Sequence, residues 1–190
     1  MKTLNFLLFV LLCASPLHAQ SLKDLFLKMP QEICPALSEY NRLELVDNQR
    51  NNKPMQTRNT FRYVSTMHTL TDQFAQLEVS KSSEKTMKLL PLNDGSSIIM
   101  VISTVLCDSI SDSSISFYST EWKALHNEDF INQPTSAEFR QITIDPATNI
   151  LTIITQNPLA LHTDEGSTIG KIEPITTTLH WEKEVNKFIQ

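Results

Sequence analysis

The spacing of apolar residues is helical near the start of the chain. They recur at intervals of three and four residues over positions 22–29, which indicates one side of a helix: Leu22, Leu25, Phe26 and Met29. Ser21 stands before this run as a helix N-cap, and Pro30 ends or bends the helix. Pro35 suits the first position of a second helix, which is predicted to extend to about Asn48. Together the two segments predict a helical hairpin with one apolar side.

The pattern then changes to the short runs and two-residue alternation of β-strands. Strands are predicted over residues 61–70, 75–79, 86–92, 97–106 and 114–120. Asn93-Asp94-Gly95 is the sharpest hairpin signal in the chain. Apolar residues fill both faces of the segment from Ile98 to Val105, so that strand is predicted to be central and covered on both sides. A polar turn is predicted over residues 108–113.

A second β section follows a short helical or irregular piece over residues 122–131. Strands over 139–144 and 150–155 flank the loop Asp145–Asn149, which predicts a hairpin. Residues 162–171 are predicted to form a polar surface loop. The last strand, 175–182, has one largely apolar face, formed by Ile175, Thr177, Leu179 and Trp181.

Short connections between strands, with the helices gathered at the front, favour an α+β fold over a parallel α/β sheet. The prediction is one domain over residues 20–190, in which the helical hairpin packs on an antiparallel β-sheet of about six to eight strands.

The first nineteen residues have the pattern of an export signal. Lys2 supplies the positive charge, residues 6–12 are an unbroken apolar run, and Ala19 is the small residue that precedes cleavage. The apolar run is too short to serve as a permanent membrane-spanning helix, which needs roughly 20 residues. We therefore expect export, cleavage after Ala19, a periplasmic or extracellular location, and no permanent transmembrane anchor.

Composition narrows the classes of function. The 190 residues carry a formal net charge of −5 at pH 7, which argues against a nucleic-acid partner because phosphates require a basic face. The three glycines, Gly95, Gly166 and Gly170, form no cluster that could cradle a phosphate group. Nucleotide binding of the common kinds is therefore not expected.

Three cysteines give little evidence of chemistry. Cys13 lies in the export signal, and Leu12 before it disfavours lipidation. Cys34 and Cys107 are expected to be two buried thiols, with a disulfide between them as the open alternative. The chain has no Cys-x-x-Cys pair from which to build a zinc or iron–sulfur site.

Four histidines follow the export signal, and no two of them have a spacing that would pre-position a metal site: His68, His126, His162 and His180. The mixed polar groups at 126–129 and 162–165 are interpreted as solvated loop charge, and the acids of 108–112 are only a weak hint of calcium binding. No metal or other cofactor is predicted.

Catalytic signatures are also lacking in the sequence. The Gly-x-Ser-x-Gly motif of hydrolases is absent. A thiol nucleophile at Cys107 or an unrecognised pair of carboxylates stays open, although packing is the favoured role for Cys107. Trp181 is expected in the core, whereas the exposure of Trp122 is left open as a sugar-stacking or interface residue. No catalytic, cofactor-binding or metal-binding residue is assigned.

Three ordered blocks resemble an uncharacterised family of small secreted Bacteroidales proteins, a domain of unknown function. The blocks are the opening with Met29-Pro30, Leu37 and residues 41–47, then residues 88–94, then residues 114–122. The resemblance spans nearly the whole chain after the export signal and implies a Gram-negative envelope location with no assigned activity. The order of elements is also similar to half of a β-lactamase-inhibitor-type fold, by topology alone.

These observations favour a non-enzymatic exported protein that binds an envelope protein or small ligand through its sheet face or its loops. The alternatives are an envelope hydrolase with an acid pair or Cys107 at its centre, and a structural subunit of an envelope assembly. A pocket with converging carboxylates would favour the hydrolase, and a large exposed apolar patch would favour the structural subunit.

Overall fold

The computed structural model describes residues 20–107, 110–132, 139–156 and 174–190. Within these ranges two α-helices, α1 (Leu22–Leu27) and α2 (Glu39–Arg50), precede two antiparallel sheets. The first sheet has seven strands in chain order: β1 (Gln56–Arg58), β2 (Val64–Leu70), β3 (Phe74–Ser80), β4 (Ser83–Pro91), β5 (Ser97–Cys107), β6 (Ile110–Tyr118) and β7 (Ala124–Leu125). The second has four: β8 (Phe139–Ile144), β9 (Ile150–Gln156), β10 (Ile175–Glu182) and β11 (Lys187–Ile189). A 3-10 turn, Asn127–Asp129, joins them.

The seven-stranded sheet is the middle of three layers. Alternate residues of β5 contribute to two separate cores, because successive side chains of a strand point to opposite faces. Ile99 and Val101 pack in the core that contains α1 and α2. Met100 and Ile102 pack in the core that contains the second sheet. The prediction that this strand is covered on both sides is confirmed.

The α+β class and the antiparallel pairing are confirmed, but the strands do not form one sheet. The hairpin predicted around residues 145–149 is present as β8 and β9, and it begins the separate four-stranded sheet. β1 and β11 were not predicted, because three residues are too few to show an alternating pattern.

Four predicted boundaries were wrong by three or four residues; among them, β2 begins at Val64 rather than Phe61 and β4 begins at Ser83 rather than Thr86. α2 begins at Glu39 rather than Pro35, because Ser38 caps it: the Asn41 backbone N–H donates to Ser38 Oγ at 3.2 Å, and the Ser38 N–H donates to Asn41 Oδ1 at 3.1 Å. Ile110–Ser113 are strand rather than turn, because they pair with Thr104–Cys107 along β5.

The open edge of β1 is covered by α2. Asn41 Nδ2 donates to the carbonyl of Arg58 at 3.0 Å, and Asn48 Nδ2 donates to the carbonyl of Gln56 at 3.1 Å. The two asparagines lie seven residues apart, hence on one side of the helix. They satisfy edge carbonyls that would otherwise be available to another strand.

The second sheet crosses the first through β8. At one end, the Arg140 and Ile142 N–H groups donate to Asp112 Oδ1 and Ser113 Oγ of β6, at 3.4 and 3.1 Å. Just beyond its other end, the carbonyl of Pro146 accepts from Lys88 Nζ of β4 at 2.5 Å. β8 therefore runs over β6, β5 and β4. Its edge separates a covered part of the seven-stranded sheet from an uncovered part.

Both tryptophans are held by their indole N–H groups. Trp122, whose exposure the sequence left open, is buried in the core, and its Nε1 donates to the carbonyl of Leu25 at 3.0 Å. Trp181 is half-buried, packs against Phe188 with ring centroids 5.1 Å apart, and donates to the carbonyl of Pro91 at 2.8 Å. Trp181 therefore packs at the border of the core rather than inside it, so its predicted core position is met only in part.

Lys88 is a buried cation between the sheets. It is only 1% exposed, and burial lowers the pKa of its ammonium group, an effect that the nearby Asp145 partly opposes. Its hydrogen bond to the Pro146 carbonyl fixes the β8–β9 loop on β4. Replacing a buried charge by an apolar group of similar length is often neutral or stabilising.

We expect Lys88→Met to be at least as stable as the wild type at pH 7. Where the folded-state pKa is lowered, the unfolded chain holds the proton more tightly, so the lysine makes wild-type stability rise with pH up to about 10.5. The stability advantage of Lys88→Met should therefore shrink as pH rises through that window. Urea unfolding of both proteins over a pH series measures this, with the exposed Lys123→Met as control. A large, pH-independent loss in Lys88→Met would contradict it.

In the described ranges, no helix is long and apolar enough to cross a membrane.

Candidate functional site

The face of the seven-stranded sheet opposite the helices, here called the outer face, changes from apolar to polar part-way along its strands. The register places Phe74, Lys88 and Met100 side by side on β3, β4 and β5. One step further along the same face, Gln76 pairs with Thr86. The next step brings polar residues on all three strands: Glu78, Glu84 and Thr104.

The second sheet covers the part of the outer face that is apolar except for Lys88. Its residues pack there in one core with side chains of the middle sheet, among them Phe74, Leu90, Met100, Ile102 and Phe117. The polar part lies beyond the edge of β8. The polarity of successive outward positions thus decides where the second sheet can bury the first and where it stops.

Two clefts lie on this uncovered part. One cleft, of about 250 Å³, runs beside β8. Its polar lining comes from both sheets: Thr69, Gln76, Glu84, Thr86, Thr104, Gln141 and Thr143. Its apolar lining is formed by Phe74, Leu106, Ile142, Ile144 and Pro146. The other, of about 500 Å³, lies toward the sheet edge and is lined by Tyr63, Val64, Thr66, Glu78, Ser80, Lys81 and Ser82. Gln76 of the first cleft and Glu78 of the second are successive residues on the same face of β3, so the two clefts adjoin. We call the two together the trough.

The trough contains a pair of like charges. Glu78 and Glu84 are direct cross-strand partners on β3 and β4, an arrangement that is unfavourable unless another group offsets it. His68 Nε2 lies 3.3 Å from Glu78 Oε2, and this ion pair exists only when the histidine is protonated. Lys81 lines the outer end. The trough therefore presents carboxylate acceptors among uncharged hydroxyl and amide groups.

The edge of β8 beside the trough is partly closed to further strand pairing. The N–H groups of Arg140 and Ile142 point away from β9 and are already bound by Asp112 and Ser113. Ser113 Oγ also shares a hydrogen bond with Thr104 Oγ1 at 2.9 Å, which ties this edge to the floor of the trough. An added strand would have to displace these contacts.

The structure brings few of the sequence candidates together. Of the histidines, His68 lies in the trough region, and His126 and His180 are exposed elsewhere. His162, Asp108 and the loop 162–171 lie outside the described residues, as does the side chain of Cys107. Among the described residues, no group of three or more His, Cys, Asp or Glu side chains is placed to hold a metal ion. The trough itself was missed, although the apolar-to-polar change from Phe74 to Gln76 was visible in the sequence.

Cys34 lies on the opposite side of the middle sheet, enclosed beneath the helices. It is a free thiol, 1% exposed, and burial raises its pKa. The positive charges of Lys85 and Arg42 partly oppose that rise. Lys85 Nζ donates to Ser103 Oγ at 2.7 Å, and Arg42 Nη1 donates to the carbonyl of Leu37 at 2.7 Å. The thiol is therefore protonated and enclosed at neutral pH, whereas a nucleophilic cysteine needs an accessible thiolate.

We expect Cys34 in the folded protein to resist alkylation by iodoacetamide at pH 8. Burial both blocks access and keeps the thiol protonated, so labelling requires local or global opening. In the protein without residues 1–19, which carry Cys13, the Cys107→Ser variant isolates the signal from Cys34. Its labelling rate is compared with that of the same variant in denaturant. Similar rates in the folded and denatured protein would show that the thiol is accessible.

The structural comparison supports the fold, and none of the comparisons gives an activity. A family model described as a protein of unknown function (DUF3256) matches residues 14–169. A solved domain of an uncharacterised protein from Porphyromonas gingivalis W83 is similar in structure, with a TM-score of 0.74 at 23% identity over 90% of this chain and 98% of that one. No curated protein matches the chain. At this identity the structural likeness speaks for the fold alone.

Proposed function

The chain belongs to this DUF3256 family of proteins of unknown function, and from the geometry of the trough we propose that it is an exported, non-enzymatic binding module. The observation that carries the proposal is the uncovered polar half of the outer face, where two adjoining clefts lie on one rigid sheet. The larger cleft, of about 500 Å³, has a volume typical of ligand sites, and the hydrogen-bonded sheet beneath it pre-organises the side chains that line it. Export rests on the pattern of the first nineteen residues, and the ligand is expected in the cell envelope.

The helical hairpin and the β-lactamase-inhibitor-like arrangement stay part of this proposal. They are supported by two helices that both contribute to one core on the middle sheet. In such an arrangement the helices stiffen the sheet from one side and leave its other side available for binding.

Co-sedimentation with isolated envelope fractions tests the binding function. Thr86→Arg places a long cation on the floor of the trough and is expected to weaken binding about tenfold or more, which is about 1.4 kcal/mol. Thr178→Arg makes the same change at an exposed position of β10 and should bind as the wild type does. Equal binding by both variants would place the contact outside the trough.

A hydrolase is the second candidate, favoured by one observation. Glu78 and Glu84 face each other across β3 and β4 within the trough, and hydrolysis of glycosidic bonds uses a pair of carboxylates. Release of reducing ends from envelope polysaccharide, lost in Glu84→Gln, would support this function. Polysaccharide that stays intact with the wild-type protein would leave the binding module as the function.

A further inference from the structure

We infer that the ligand of the trough is an uncharged, hydroxyl-rich oligosaccharide chain. The inference rests on the proposed binding function and names its ligand class. The lining of the trough matches the hydrogen-bonding capacity of a sugar chain. The side chains of Thr86, Gln76 and Gln141 each offer both a donor and an acceptor, as sugar hydroxyls do. Glu84 adds a carboxylate that forms charge-assisted bonds with hydroxyl donors.

The charge of the trough also suits an uncharged ligand. The charged residues lining the two clefts are Glu78, Glu84 and Lys81, so carboxylates outnumber cations. Phosphates and uronic acids need clustered cations, preferably arginine, and would meet repulsion from the paired glutamates. Lys88, the nearest buried cation of the face, is already bound to the Pro146 carbonyl. An uncharged polar chain fits this lining better than an anionic one.

The sheet edges beside the trough are poorly suited to the usual way in which a sheet binds a peptide. Strand addition uses free N–H and carbonyl groups along a sheet edge. At β8 the N–H groups of Arg140 and Ile142 are bound by Asp112 and Ser113, and at β1 the carbonyls of Gln56 and Arg58 are bound by α2. Both edges beside the trough are thus partly occupied, which favours side-chain recognition from the sheet face.

The outer end of the trough carries an aromatic residue. Tyr63 lines the larger cleft and is 61% exposed, beside the exposed Val64. A tyrosine ring offers an apolar face and a polar tip, which suits the apolar face of a sugar ring with hydroxyls at its rim. The trough therefore combines a polar floor with an apolar platform at one end, as a chain of sugar rings requires.

Isothermal titration of the purified protein tests the ligand class. The probes are the uncharged hexasaccharides of glucose, mannose and N-acetylglucosamine in their common linkages, with hexagalacturonate as the anionic counterpart. We expect binding of an uncharged hexasaccharide and none of hexagalacturonate. Tyr63→Ala and Gln76→Ala should each weaken it about tenfold, whereas Tyr40→Ala, at a tyrosine of α2 that is 71% exposed, should not change it.

Each other outcome overturns the inference. Binding of none of the uncharged probes, tighter binding of hexagalacturonate, or unchanged affinity in Tyr63→Ala and Gln76→Ala would each do so. The failure of the ligand class is distinguishable from failure of the binding function. If Thr86→Arg abolishes envelope binding and protease treatment of the envelope does so too, the trough binds a protein. If Thr86→Arg has no effect on envelope binding, both proposals fail.

Discussion

Ile102→Ala is expected to lower the free energy of unfolding by about 2–5 kcal/mol, whereas Thr86→Ala should lower it by less than about 1 kcal/mol. The two residues are direct partners on β5 and β4, and both lie on the outer face. Ile102 is 1% exposed beneath the second sheet, so truncation leaves a cavity. Thr86 is only partly buried and lines the trough, where water fills the space that is vacated.

Urea unfolding followed by tryptophan fluorescence measures both changes, because Trp181 reports on the second sheet. We expect very different losses of unfolding free energy at these two neighbours, because the boundary between the buried and the uncovered part of the sheet passes between them. Comparable losses at the two positions would mean that the second sheet extends over the trough. In that case the clefts would not be available to a ligand.

Asn41→Ala is also expected to lower the free energy of unfolding strongly, by about 2–4 kcal/mol. Asn41 is buried, and its Oδ1 accepts from the N–H and hydroxyl of Ser38, at 3.1 and 2.8 Å. Its Nδ2 donates to Thr57 Oγ1 at 2.8 Å and to the carbonyl of Arg58 at 3.0 Å. Alanine therefore removes a helix cap and leaves buried acceptors on β1 without their donor.

Asn48→Ala is the matched control for that variant. Asn48 lies two turns further along α2 and makes one exposed hydrogen bond, to the carbonyl of Gln56, so its loss should be below about 1 kcal/mol. Asn41→Asp keeps the capping oxygen but replaces the donor to β1 with a charged acceptor, so it should lose stability as well. Equal stability of Asn41→Ala and Asn48→Ala would show that α2 is not fixed to the edge strand through Asn41.

Local signals in the sequence predicted much of the fold. The hairpin at Asp145–Asn149, the central strand from Ile98 to Val105 and the face of the last strand depend on turn chemistry and alternation, which are local properties. The start of α2 was wrong because Pro35 is acceptable at the first position of a helix, and the Ser38–Asn41 capping box was overlooked.

Properties that depend on packing between layers could not be predicted in the same way. The division into two sheets is set by how β8 crosses β6 and β4, through contacts such as Ile142 with Ser113 that join distant parts of the chain. The trough follows from that crossing. In the sequence, Gln76, Glu78 and Thr86 are ordinary outward residues of half-exposed strands, and only the edge of the second sheet makes them the lining of a cleft.

The most direct test of the central claim is a backbone amide NMR shift map of the isotope-labelled protein in the presence of solubilised envelope fraction. We expect shift changes that cluster on β2 to β5, around Thr66, Gln76, Thr86 and Thr104, with little change on the exposed side of β10 at Thr178. Changes concentrated on β10 or on α2, with the trough residues unaffected, would contradict the assignment of the uncovered polar sheet as the binding surface.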